Sequence, residues 1–192
     1  MHSTIEIIRT DILSDNWYTL KRIEYEITDS EGNKKRQLRE AYDRGNGATI
    51  LLYNKDQGTV ILTRQFRLPT FINGNPDGML IETCAGLLDK DDPENCIKRE
   101  TEEETGYHIN DVKKVFEAYM SPGSVTEILY FFVAAYTKDM KITEGGGIAE
   151  EQENIEVLEL PYTKALQMID YGEIKDGKTI MLLQYAQIHR LL

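Results

Sequence analysis

The chain has 192 residues, 41% of them apolar, and a formal net charge of −11. That apolar content supports a real core, and the length suits one domain with an extension. The acidity excludes a protein that tracks nucleic-acid phosphates or an anionic membrane; any phosphate it binds needs local arginines or a metal ion.

Two cysteines, Cys84 and Cys96, read as small core residues in a reducing compartment. The three histidines, His2, His108 and His189, sit apart and offer no zinc-ligand spacing. Glu6, Arg9 and Asp11 leave no room for a signal-peptide core. The longest apolar run, "ILYFFVAAY" at 128–136, is too short to span a bilayer and reads as a buried strand. A cytoplasmic protein without membrane or nucleic-acid partners is expected.

In chain order, "RIEYEI" at 22–27 alternates apolar and charged residues, the pattern of a half-buried strand. "DSEGN" at 29–33 is a turn, and a polar strand follows through "KRQLREAY". This unit is too small to bury a core alone, so it packs on the rest of the chain or on another subunit. "DRGNG" at 43–47 marks a boundary, dividing residues 1–44 from residues 45–192. "ATILLY" and "TVILTRQF" read as a hairpin joined by "NKDQG", and "MLIETCAG" as one strand ending at Gly86. After a helix come the strands "VKKVFEAYM" and "EILYFFVAAY", a flexible acidic loop "TEGGGIAEEQEN" and the strand "IEVLEL". Two helices end the chain, "PYTKALQMIDYG" and "TIMLLQYAQIHRLL". A mixed sheet between helices is the expected architecture.

The central helix is the best marked. Asp92 is a good N-cap, Pro93 a good first residue and Gly106 a good terminator, so the helix should cover about 93–105. Its last turns read "RETEEETG" at 99–106. A glutamate-rich helix is usually solvated. Here, at about 100° per residue, Glu100 and Glu104 fall within the stripe that holds Cys96, Ile97 and Thr101, while Lys98 and Glu102 lie opposite. Glu103 and Arg99 flank that stripe. Inward carboxylates are costly unless a cation neutralises them, and one arginine cannot balance three glutamates. Hard divalent cations with oxygen ligands can, which points to magnesium or manganese and so to phosphate chemistry.

The stretch "GLLDKDDPENCIKRETEEETGY" at 86–107 closely resembles the Nudix box. It departs at Thr101, where an aliphatic residue is usual, and at the front, where Asp91 stands for glutamate and one residue is missing. "ILSDNWYTLKRIEYEIT", "REAYDRGNGATILLYN", "RQFR", "ETCAGLLD", "YMSPGSVTE", "EVLELP" and "GEIKDGKT" extend the similarity, over nearly the whole chain, to the bacterial GDP-mannose pyrophosphatases of the ADP-ribose pyrophosphatase branch. The resemblance implies a Nudix α/β/α sandwich with a mixed sheet plus an N-terminal antiparallel β domain, exchanged between the subunits of a homodimer. It implies magnesium-dependent hydrolysis of a nucleoside diphosphate sugar, with GDP-mannose giving GMP and mannose 1-phosphate. ADP-ribose hydrolysis and a non-cleaving nucleotide-sugar binder are the alternatives.

The same resemblance implies the roles of individual residues. Glu100, Glu104, the carbonyl of Ala85 and Glu153 would hold the metal; Glu153, Glu103 and Glu104 would form the catalytic set. Counting forward from the glycine run, rather than back from the strand, would give Glu150 or Glu151 in place of Glu153. Gly86 and Leu87 would line the diphosphate site, with Arg67 on phosphate and Lys178 on nucleotide or phosphate. Arg39 and Glu40 would contact substrate, Glu127 would line the pocket, and Trp17 would stack on the base.

Overall fold

A computed structural model describes residues 3–147 and 154–192. Two compact units make it up: Met1–Asn46 with Tyr119–Ile128, and Gly47–Ala118 with Leu129–Leu192.

The first unit is an antiparallel sheet of β1 (Thr4–Asp15), β2 (Thr19–Thr28) and β3 (Lys34–Asp43), with β2 in the middle. The expected turn links β2 and β3: Asp29 Oδ1 accepts from the backbone N–H groups of Glu31 and Asn33, both at 2.9 Å. β1 was not marked in the sequence, and its register explains why. Shifts between Ile7 and Arg9 and between Ile12 and Ser14 break the two-residue alternation that identifies a strand. β1 leaves Ile5, Ile7 and Ile12 exposed. The turn at 121–125 joins this unit through Tyr42, whose N–H donates to Ser124 O and whose carbonyl accepts from Thr126 N.

The second unit holds a mixed sheet. Its main path runs β10 (Glu156–Pro161), β5 (Thr59–Phe66), β4 (Gly47–Asn54), β9 (Ile128–Ala135), β8 (Lys113–Tyr119). β4 pairs in parallel with β9 and antiparallel with β5. Alternate residues of β4 serve two cores. Ala48, Ile50 and Leu52 join Ile61, Phe132, Ala134 and Tyr136 beneath Ile97 of α2 (Pro93–Thr105). Thr49 faces the other way and reaches α4 (Gly177–Ile188) through Thr83: the two threonine hydroxyls lie 2.9 Å apart, and Thr83 N–H donates to Thr179 Oγ1 at 2.7 Å. With helices on both faces, β4 reads as a continuous buried run rather than an alternating one. This is the expected α/β/α sandwich with its mixed sheet, and the first unit is the expected antiparallel N-terminal sheet. α3 (Tyr162–Asp170) lies against α4.

The expected single strand "MLIETCAG" is two strands, β6 (Met79–Glu82) and β7 (Cys84–Leu87). β4 and β5 pair only at Leu52–Asn54 with Thr59–Ile61 and then splay. The segment fills the wedge between them. β6 pairs with β5 and β7 with β4, so the chain changes partner at Thr83. A short helix α1 (Leu68–Ile72), also not anticipated, follows β5.

Candidate metal and diphosphate site

α2 begins and ends as its sequence requires. Asp92 Oδ1 accepts from Glu94 N–H and Asn95 N–H, Pro93 occupies the first turn, and Gly106 ends the helix at φ +78°. The buried face carries Cys96, Ile97, Thr101, Glu104 and Thr105. Thr101, the departure from the usual aliphatic residue, is tolerated there because its hydroxyl donates to Ile97 O at 2.6 Å, inside its own helix. Glu102 turns away and meets His108 at 2.6 Å.

Glu104 is a core carboxylate, only 2% exposed. Cys84 of β7 lies beside it; burial first, and then the Glu104 charge, push that thiol well above its ordinary pKa. Glu100 leans on the same strand. A Cβ built on Gly86 would fall 2.1 Å from Glu100 Cδ and 2.4 Å from Oε1. Thus the carboxylate of Glu100 fills the place of a side chain at position 86. Ala85, Gly86 and Leu87 run past it in register with Thr49, Ala48 and Gly47 of β4. Cys96 Sγ–H donates to Leu87 O, and burial followed by the Glu100 charge raises its pKa to about 12.

Arg99 sits at the rim of this face. Its guanidinium bonds Glu100 Oε1 at 2.9 Å and Glu103 Oε2 at 3.0 Å, with Asp91 Oδ2 at 3.6 Å. Burial works against its charge, but Glu100 and Glu103 outweigh it and hold the proton more firmly than usual. Glu103 is more exposed than Glu100 and bound to Arg99 alongside it.

Gly145–Gly147 all take positive φ and lie on the C-terminal end of α2. Gly146 N–H donates to Glu104 O at 2.9 Å and Gly147 N–H to Glu103 O at 3.1 Å; Ile155 N–H returns to Gly146 O. A Cβ on Gly145 would meet Glu104 O at 2.5 Å, so only glycine lets the backbone approach this closely. The run expected to be flexible is, at these three residues, a fixed cap on the acidic helix. Glu150, Glu151 and Glu153 lie outside the described residues.

The fit to a metal follows from the donor chemistry. Among the described residues, no three His, Cys, Asp or Glu side chains converge as a cage. Glu100, seated against Gly86 of β7, and the buried Glu104 could offer two carboxylates, oxygen donors of the kind that suit a hard divalent cation.

Beside this face, Arg67 and Lys178 meet on one acid. Arg67 Nε donates to Glu82 Oε2 at 2.7 Å and Lys178 Nζ to Glu82 Oε1 at 2.5 Å. Burial works against the Arg67 charge, yet Glu82, then Glu104 and Asp176, keep its pKa above the ordinary value. Glu82 escaped the sequence reading; a carboxylate inside the apolar segment "MLIETCAG" was the available signal.

The remaining candidates belong to the first unit. Trp17, at the β1–β2 turn, is 83% exposed and stands edge-on to Tyr18. Arg39 and Glu40 are exposed on β3, opposite Ile23 and Arg22. Glu127 is mostly buried and faces Arg44 Nε at 3.6 Å.

Comparison with known proteins agrees with this architecture. Residues 43–180 match the NUDIX domain, and residues 4–42 match the GDP-mannose pyrophosphatase NudK N-terminal domain. The GDP-mannose pyrophosphatase of Yersinia enterocolitica serotype O:8 / biotype 1B is 62% identical over 192 residues, the full length of both chains. That of Klebsiella pneumoniae subsp. pneumoniae is 55% identical over 192 residues, covering all of this chain and 96% of that one. A crystal structure of an ADP compounds hydrolase superposes with a TM-score of 0.70 at 17% identity, covering 96% of this chain and 95% of that one, which shows the shared fold. The chain belongs to the NUDIX family.

Proposed function

We propose that the protein is a magnesium-dependent pyrophosphatase that hydrolyses GDP-mannose to GMP and mannose 1-phosphate. The observation that carries the reading is the pairing of a core carboxylate, Glu104, with a second, Glu100, seated in the side-chain space of Gly86. The full-length identity to GDP-mannose pyrophosphatases supports the choice of substrate.

In this reading Glu100, Glu104, the Ala85 carbonyl and Glu153 hold the metal. Bound there, magnesium would offset the diphosphate charge and lower the pKa of a water. Glu153 would take or orient a proton of the attacking water, and Glu103, beside Glu100 and Glu104, completes the catalytic set. Arg67 and Lys178 donate to phosphate oxygens as charge builds on them, and Gly86 and Leu87 border the diphosphate. Trp17, Arg39 and Glu40 would form nucleotide and sugar contacts from a β domain of residues 1–44, exchanged between the subunits of a homodimer, and Glu127 would line the pocket. The exposed Ile5, Ile7 and Ile12 of β1 give that exchange an apolar surface to bury. No helix among the described residues is long and apolar enough to cross a membrane, in keeping with a cytoplasmic enzyme.

The test is a product assay with magnesium on GDP-mannose and ADP-ribose side by side. GMP and mannose 1-phosphate, with the larger kcat/KM on GDP-mannose, are expected. A larger kcat/KM on ADP-ribose moves the specificity to the other base, and no turnover of any nucleotide sugar rejects the enzyme.

A further inference from the structure

Glu82 is a buried acid with two cations on it. Its side chain is 4% exposed, at the end of β6, where the chain is about to change partner strands. Each of its two oxygens is taken by a different cation. Arg67, 15 residues earlier, uses Nε, and Lys178, 96 residues later, uses Nζ. Lys178 is itself only 12% exposed and has Asp176 Oδ2 at 3.1 Å as a second partner. Asp176 is fixed in turn as the N-cap of α4, accepting from both the N–H and the hydroxyl of Thr179. Thr179 Oγ1 then accepts from the N–H of Thr83, the residue next to Glu82. The ring closes: β6, α4 and the end of β5 are locked by one connected set of polar groups.

The geometry has a directional consequence. With Nε committed to Glu82, Arg67 keeps both η-nitrogens, the pair that binds phosphate in a fork. Arg67 is 40% exposed against 4% for Glu82, so its side chain reaches the surface while the acid that holds it does not. Two acids, Glu82 and Asp176, match two cations, Arg67 and Lys178, so the cluster adds no net positive charge. What it supplies is donors held in fixed directions rather than a diffuse field.

We infer that Glu82 is a positioning residue for diphosphate binding, setting the orientation of Arg67 and Lys178 together. This rests on the pyrophosphatase reading of the site. Without the charge of Glu82, two cations would share a half-buried space with Asp176 as the one acid left in the cluster, and each would turn toward it or toward water.

The test compares wild type with Glu82→Gln by titration calorimetry with inorganic diphosphate in magnesium, and by steady-state kinetics on GDP-mannose. Diphosphate affinity is expected to fall about tenfold or more, with KM rising more than kcat falls. The double variant Glu82→Gln/Lys178→Met should lie within about twofold of the worse single variant, because the residues act as one unit. Unchanged diphosphate affinity in a folded Glu82→Gln protein, or multiplied losses in the double variant, overturns the inference. Should Glu82→Gln fail to fold by circular dichroism, Glu82→Asp, which keeps the charge but withdraws it by a methylene, carries the test. About a threefold loss of diphosphate affinity is then expected, and none overturns the inference. Wild type that binds diphosphate but cleaves no nucleotide sugar would reject the substrate reading and leave this test standing.

Discussion

Gly86 and Glu100 share one space: the carboxylate carbon of Glu100 lies 2.1 Å from where a Cβ of residue 86 would be. The glycine is therefore required by its neighbour, not by its own backbone. Gly86→Ala should push Glu100 off β7 and separate it from Glu104. Magnesium affinity and kcat/KM are expected to fall about 10–100-fold, as for other changes that disorient a metal ligand. Calorimetric magnesium titration of the folded variant checks this; unaltered affinity would mean that the Glu100 position is not needed for the metal.

Arg99 bridges Glu100 and Glu103, so on the proposed reading its charge would offset theirs when metal is withheld. Arg99→Gln should lower Tm in chelator by about 2–4 °C, the size expected for a partly exposed ion network in a domain of this length. Saturating magnesium should close the gap. Equal melting of both proteins in chelator would show that the guanidinium does not relieve the carboxylate repulsion.

Gly106 combines a φ of +78° with a carbonyl, Thr143 O, only 2.1 Å from the position of a Cβ. Gly106→Ala should cost more than the roughly 1 kcal/mol of a left-handed alanine, since the loop must also move. That loop caps the end of α2 that carries Glu103 and Glu104, so activity should fall with stability. Denaturant unfolding and kcat/KM on the same sample measure both.

Asp92 gives the pH dependence. Backbone donation from Asn95 leads the causes that lower its carboxyl pKa below 3.8. Its folded pKa is depressed, so the charged cap's contribution is whole above about 3.8 and is lost as pH falls through the lower folded value. Asp92→Asn caps without titrating. Wild type should melt higher than Asp92→Asn at pH 7, with the difference shrinking toward zero in acid. A difference that persists or grows at low pH would contradict the assignment.

The parts of the fold legible in the sequence are those set by near neighbours. Asp92, Pro93 and Gly106 bound α2 by local capping chemistry, and a 3.6-residue period was enough to turn Glu100 and Glu104 inward and Glu102 out. What escaped depends on distant partners. The division of β6 from β7 follows from how β4 and β5 splay, which no local pattern encodes. β1 was hidden by its own register shifts. Glu82 gains meaning only when folding brings Arg67 and Lys178 to it from either side. The glycine run at 145–147 looked like slack chain because its partner, the end of α2, lies 40 residues upstream; its glycines permit a close contact as readily as freedom.

Everything proposed for this site turns on Glu104, a carboxylate held in the core. The decisive measurement is GMP and mannose 1-phosphate release from GDP-mannose in saturating magnesium by wild type and by Glu104→Gln. Wild type should form both products, and the folded variant should be slower by at least about 100-fold, having lost a ligand to the metal that activates water. Comparable rates from the two proteins would contradict the account.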